Sequence, residues 1–262
     1  HSLLDICRTP DLATEVTPQP IRRVDLDAAI LFSDLLLPLE PMGLPFDFIK
    51  GEGPQLERPI DSPADIDRLR VFEPREALAH VLTAVRQIQN ELRGRLPLIG
   101  FAGAPFTLAS YAIEGGHSNT FAKTKSLMYG HPEAWHRLCE KLSSIVADYL
   151  VAQIDAGVDA IQVFDSWVGA LSATDYREFA LPHTQRLFDA IGTRVPTIHF
   201  GTGTSASLEE LREGIRLLRF LRRNRLVDGN ALGALSIPAA ARTCKAAPSN
   251  LKPVVLLGGK SE

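Results

Sequence analysis

Cysteine is scarce in this chain. The three present among 262 residues, Cys7, Cys139 and Cys244, are odd in number, far apart and free of any C-x-x-C spacing. That argues against a disulfide scaffold or a cysteine-ligated zinc site, and it fits a cytoplasmic, reducing compartment. Long hydrophobic runs are also missing. The most apolar stretch, Ala28 to Leu44, is broken by Asp34, Pro38 and Glu40, whereas a bilayer span needs about 20 mainly apolar residues. Neither charge sign dominates: 28 Lys and Arg stand against 31 Asp and Glu, a formal net charge of −3. No nucleic-acid surface or polybasic membrane patch is expected from that balance. There is no basic-then-apolar leader, and the first residue is His1, not Met, which reads as the start of a trimmed fragment. No repeat of fixed period occurs. With 45% hydrophobic and 23% charged residues, an ordinary globular protein of one large domain or two small ones is expected.

Four apolar runs read as strands: Asp27–Phe32, Leu96–Ala102, Ala160–Phe164 and Val195–Phe200. They are nearly continuous in hydrophobicity, a pattern that belongs to parallel strands covered on both faces. Helical periodicity fills the gaps. Pro74–Arg93 opens on proline and repeats Leu78, Val81, Leu82, Val85 and Ile88. Pro132–Ala156 repeats Leu138, Leu142, Ile145, Tyr149 and Leu150 and stops at Gly157. Thr174–Ile191 and Ser207–Arg225 are further helices, while Phe46–Glu73, with its prolines and glycines among charges, predicts an irregular insertion. Alternating strands and helices predict an α/β fold with a parallel sheet. A complete (β/α)8 barrel takes about 250 residues, and four strands within the first 200 leave little room for the rest.

Reactive groups of parallel α/β proteins lie at the carboxyl ends of strands. Asp34 stands there inside Ile30-Leu31-Phe32-Ser33-Asp34-Leu35-Leu36-Leu37, where an unpaired carboxylate is costly. It reads either as a cap or buried ion pair at a strand–helix junction, or as an acceptor held for an N–H-rich or cationic ligand. Gly100 to Leu108, followed by Tyr111 and Glu114-Gly115-Gly116, places small residues where a ligand can approach the backbone. Tyr111 adds an amphipathic hydroxyl, or is a core tyrosine. Ser166, in Phe164-Asp165-Ser166-Trp167, reads as a helix N-cap or as a group binding a carboxylate or carbonyl. Gly201-Thr202-Gly203-Thr204-Ser205-Ala206 formally fits the dinucleotide fingerprint. Because earlier strands precede it, a tight turn at a barrel rim is the better reading. No G-x-S-x-G marks a serine hydrolase. His131 and His136, five apart around Pro132, lack H-E-x-x-H; His199 has no nearby cysteine, and His80 sits within the first long helix. No metal site is expected. The six arginines between Leu211 and Arg225 read as a solvated helix face.

Taken together, Asp27–Asp34 (DAAILFSD), Gly103–Tyr111 (GAPFTLASY), Glu114–Gly116 (EGG), Ala160–Ser166 (AIQVFDS) and His199–Ser205 (HFGTGTS) resemble the uroporphyrinogen decarboxylase family, in consistent order from Leu3 to Glu213. The resemblance implies a (β/α)8 barrel, incomplete in this chain, with a barrel domain over 1–213 and a divergent segment over 214–262. It implies a cytoplasmic homodimer of haem biosynthesis. The four acetates of uroporphyrinogen become methyls, giving coproporphyrinogen and CO2 without cofactor or metal. Carried over by position, Asp34 matches the family's central aspartate, Tyr111 and Ser166 match substrate-binding positions, and Ile30 matches an apolar residue lining the cleft.

Two family features are not found. An R-Q-A-G-R segment, whose arginines would clasp substrate carboxylates, does not occur, and neither does a late histidine in a G-H-G context. Beyond Glu213 only a faint echo remains at Val227-Asp228-Gly229-Asn230. The expectation is a chain truncated at the front and rearranged at the back, with little turnover of its own. Two rivals share the resemblance. A corrinoid-linked methyltransferase of the same superfamily would carry zinc in an H-x-C pattern, but this chain reads His199-Phe200-Gly201. A non-catalytic partial-barrel remnant would bind porphyrinogen without releasing CO2.

Overall fold

A computed structural model of the protein describes residues 1–204, Leu211 and 254–258. Three short helices open the chain: α1 (Leu3–Arg8), α2 (Pro10–Val16) and α3 (Gln19–Arg23). The first strand, β1 (Ala29–Ile30), leads through a loop to a 3-10 turn at Leu37–Leu39. The hairpin β2 (Phe46–Ile49) and β3 (Gly53–Leu56) follows, then α4 (Pro63–Arg68), α5 (Pro74–Ala77) and α6 (Ala79–Leu92). Next come β4 (Leu98–Gly103), α7 (Pro105–Glu114), α8 (Ala122–Gly130), α9 (Pro132–Ala156) and β5 (Ala160–Asp165). After a 3-10 turn at Val168–Ala170, α10 (Ala173–Asp175) runs through a π turn, Tyr176–Ala180, into α11 (Leu181–Ile191). Strands β6 (Thr197–Thr202) and β7 (Val254–Gly258) complete the described elements.

The five strands β1-β4-β5-β6-β7 form one sheet, parallel at every pairing. Neighbours in this sheet follow one another along the chain, with helices in the connections from β1 to β6, as in a (β/α)8 barrel opened along one side. The predicted strands are present, each end within two residues of its expected place. The insertion predicted as irregular instead holds the antiparallel hairpin β2–β3 and α4. The helix predicted over Pro74–Arg93 breaks at Leu78, which leaves helical geometry. The helix predicted over Thr174–Ile191 carries the π turn ahead of Pro182, whose nitrogen has no hydrogen to donate. The predicted helix Ser207–Arg225 (apart from Leu211), the echo at 227–230 and all of 214–262 except β7 lie outside the described residues. Among the described residues no helix is long and apolar enough to cross a membrane.

The two faces of the sheet differ. Alternate positions on one side (Leu98, Ala102, Ile161, Val163 and His199) are buried, and that side faces the helices: Gly100 lies against Gln153 and Val158, and His199 against Phe188 of α11. The other side carries Ile30, Ile99, Phe101, Phe164 and Phe200. Phe164 meets Phe101 and Phe200 edge-on, with centroids 5.4 and 5.3 Å away. Ile30 remains 45% exposed.

One side chain explains why β1 is so short. Gln153 of α9, fully buried, donates to the Phe101 carbonyl at 2.9 Å and accepts from the Phe101 N–H at 3.0 Å. Those backbone groups lie on the edge of β4 that pairs with β1, where Leu31 still donates to Ile99. The carboxamide thus satisfies β4 in place of a longer β1, and buried backbone groups need such a partner. Gly100 makes room, since a Cβ there would lie 2.4 Å from the Gln153 oxygen. The chain after Leu31 is free to leave the sheet. Phe32 is then tied to α2, its N–H donating to Thr17 Oγ1 at 3.0 Å.

Candidate functional site

Asp34 sits on that diverging loop, half-buried. Its Oδ1 accepts the N–H of Leu36 at 2.8 Å, a side-chain turn that leads into Leu37–Leu39. Among the described residues no cation pairs with it. Burial raises its carboxyl above the usual range, opposed by the Leu36 hydrogen bond. Three groups register its charge. Burial and then Asp34 push the Tyr111 hydroxyl up to about 12. Burial and then Asp34 push the Cys7 thiol up to about 12 as well, and the fully buried Tyr149 hydroxyl is raised mainly by burial, with Asp34 adding to it. The carboxylate therefore stands among α1, α7 and α9, near Tyr111 and without a neutralising neighbour. Asp34 is thus not a helix cap, since the 3-10 turn has Leu36 as its N-cap with no side-chain cap, and the ion-pair reading finds no partner among the described residues.

Tyr111 is half-buried on α7, which starts where β4 ends. Proline at the first turn and the left-handed Gly115 at φ +85° bound this helix. The small residues of the turn are filled from within: a Cβ on Gly103 would fall 2.7 Å from the Leu108 side chain. Glu114 and the two glycines serve the scaffold. Glu114 Oε1 accepts both the N–H and the hydroxyl of Thr124 at 2.8 Å, and the Gly115 carbonyl accepts from Leu56 of β3 at 2.7 Å.

Ser166 follows β5 directly and is half-buried. The 3-10 turn after it begins at Trp167 with no side-chain cap, so Ser166 is not a helix N-cap. Its carbonyl accepts from the Thr202 hydroxyl at the end of β6. Trp167 lies on Tyr111, ring centroids 3.7 Å apart, and Phe121 meets the indole edge-on at 5.2 Å. The geometry thus gathers Asp34, Tyr111 and the Ser166 loop at the carboxyl ends of β1, β4 and β5, beside the apolar face that bears Ile30. Gly201 to Thr204 close β6 in a rim turn with Gly203 at φ +67°, while Ser205 and Ala206 lie outside the described residues.

Sequence reasoning passed over Thr107 and Asp165. Asp165 is fully buried between sheet and helices, where its Oδ1 accepts from Thr107 Oγ1 at 3.0 Å and its Oδ2 lies 3.5 Å from His199 Nε2. The signal was local: Thr107 precedes Tyr111 by one helical turn, and Asp165 precedes Ser166. Of the other histidines, His117 meets Trp167 edge-on with ring centroids 6.4 Å apart. His136 Nδ1 is 2.9 Å from His183 Nε2 across α9 and α11; His131 begins α9, and His80 is half-buried on α6. Among the described residues no three metal-ligating side chains are grouped as an ion would need. A cavity of about 510 Å3 between α4, α7 and α8, lined by Ile60, Ser62, Lys123 and His131 among others, contains none of the candidate residues.

The sequence model of the family described as Uroporphyrinogen decarboxylase (URO-D) matches residues 1–260. A uroporphyrinogen decarboxylase of Sorangium cellulosum is 58% identical over 214 residues, covering 81% of this chain and 61% of that protein. One from Mycobacterium marinum is 46% identical over 261 residues, covering 99% of this chain and 72% of that protein. The chain thus spans 61% of the length of the Sorangium cellulosum protein. Among solved structures, a methyltransferase from Methanosarcina mazei superposes with a TM-score of 0.67 at 18% identity, covering 81% of this chain and 65% of that one. That likeness concerns the fold.

Proposed function

Since the chain belongs to the uroporphyrinogen decarboxylase family, we propose that its site takes a uroporphyrinogen and converts the ring acetates to methyls with release of CO2. Asp34 is the residue on which this reading rests. A reduced tetrapyrrole can turn four pyrrole N–H groups to one side, and a carboxylate, which only accepts, can collect them. Asp34 offers such an acceptor: half-buried, one oxygen fixed by Leu36, and unpaired with any cation among the described residues.

The chemistry follows from charge. A proton added to a pyrrole carbon makes the ring cationic. The bond between the acetate methylene and its carboxylate then breaks; CO2 leaves, and the electron pair flows into the ring and neutralises it. Protonation of the exocyclic carbon and loss of the ring-carbon proton complete the methyl, so one proton is consumed for each CO2. Asp34 stabilises the cation, and its partial burial strengthens the attraction. Tyr111 and Ser166 hold the macrocycle and its acidic arms; Ile30 meets the apolar edge.

The 1–213 barrel domain carries this site and 214–262 forms a divergent segment. The protein works in the cytoplasm as a homodimer, needs no cofactor, and engages neither nucleic acid nor membrane. The near-balanced charge and the unpaired, buried thiols of Cys7 and Cys139 support the compartment; the family resemblance supports the dimer. An anaerobic assay of CO2 release from uroporphyrinogen tests the reading. In a full-length member of the family, asparagine at the position matching Asp34 should retain the fold and lower turnover at least ~100-fold, the scale of losing a preorganised charge. Turnover near that of the unsubstituted protein overturns it.

A further inference from the structure

We propose that Thr107 and Asp165 are positioning residues that set Tyr111 and Ser166 relative to each other. The proposal rests on the reading that these two contact the substrate. Tyr111 and Ser166 belong to different elements, a helix and the loop after a strand end. Their relation passes through one hydroxyl. Thr107 Oγ1 donates to Asp165 Oδ1 at 3.0 Å and accepts the N–H of Trp167 at 3.4 Å. Thr107 and Asp165 are both fully buried, so water does not compete for these bonds.

The arrangement is over-determined. Thr107 lies one turn before Tyr111 on the same helix, and Asp165 precedes Ser166 on the chain. Trp167, fixed at its backbone by Thr107, returns its indole to stack on Tyr111. From the other side Thr202 donates to the Ser166 carbonyl. Gly169 lets β6 press against the loop, since a Cβ there would lie 2.2 Å from the Thr202 carbonyl oxygen. His199 Nε2, 3.5 Å from Asp165 Oδ2, backs the carboxylate from β6. Three successive strand ends are thereby locked around the Tyr111–Trp167 pair, and a hydroxyl is the piece that joins helix to strand.

Thr107→Val keeps the shape and removes the hydroxyl, Thr107→Ser restores it, and Thr184→Val on α11 removes another buried threonine hydroxyl away from this loop. Two readouts are taken on each: the near-ultraviolet circular dichroism of the stacked Tyr111–Trp167 pair, assigned with Trp167→Phe, and binding of anaerobic uroporphyrinogen I. Thr107→Val should lose the stacking band and weaken binding about tenfold; Thr107→Ser should recover both, and Thr184→Val should change neither. An unchanged band in Thr107→Val, or equal losses in Thr107→Val and Thr184→Val, overturns the proposal. Should the unsubstituted chain bind no uroporphyrinogen, the functional reading fails, while loss of the band in Thr107→Val with recovery in Thr107→Ser still supports the positioning role.

Discussion

The phenol of Tyr111 lies against the indole of Trp167 with ring centroids 3.7 Å apart and planes inclined by 26°. Aromatic pairs are worth about 1 kcal/mol beyond the area they bury. A double-mutant cycle of Tyr111→Leu and Trp167→Leu, followed by urea unfolding, should give a coupling of about 1 kcal/mol. Strictly additive losses would show the rings to be neighbours without interaction.

Asp34 should make the protein less stable at neutral pH than a neutral isostere would. Its carboxyl is raised above the ordinary value near 3.8, so just above that pH the folded protein holds a proton that the unfolded chain has released. Stability therefore falls as pH rises through that window. Asn keeps an oxygen to accept the Leu36 N–H, so Asp34→Asn should unfold at higher temperature at pH 7, with the difference shrinking toward pH 3. A less stable variant at pH 7 contradicts this.

The His136–His183 contact predicts the opposite slope. Burial first, then the neighbouring His136 and Arg186, lower His183 to about 4. Between the ordinary value near 6.5 and that lowered value, the unfolded chain binds the proton and the folded protein does not. Stability is thus lost as pH falls through this range, on the order of 2 kcal/mol. His183→Gln should flatten the acid limb of a pH-denaturation curve; an unaltered limb removes His183 as its cause.

Two glycines with similar crowding should differ in cost. At Gly169 a Cβ meets backbone, the Thr202 carbonyl at 2.2 Å; at Gly116 it meets the Gln55 side chain at 2.4 Å. A flexible amide can swing away, and a strand end cannot. Gly169→Ala should cost about 2 kcal/mol or more and Gly116→Ala less than half of that, by thermal unfolding. Equal costs would mean that the Val168–Ala170 turn gives way freely.

The sequence showed α9 to the residue, because apolar periodicity, an opening proline and a closing Gly157 agree there. It showed the middle strands for a similar reason, since parallel strands buried on both sides keep no polar alternation. β1 was overestimated because its length is decided by Gln153, far along the chain. The hairpin Phe46–Leu56 was hidden by its prolines and glycines, which as easily mark a loop. The long-range relations of the site were also illegible. Asp34 stood out as a lone acid among leucines, and Tyr111 and Ser166 stood out after strand ends with two readings each, between which the family resemblance chose. Thr107 and Asp165 look like ordinary residues until a helix and a strand end are brought to 3.0 Å.

Because the Gln153 carboxamide occupies the edge of β4, the whereabouts of the Asp34 carboxylate is decided on a distant helix. Gln153→Leu would strand two interior peptide groups and invite β1 to zip onward, drawing the acid away from the tyrosine. Selection for the reaction should then be felt at a position that never meets a reactant, inside α9, where a glutamine could pass for filler.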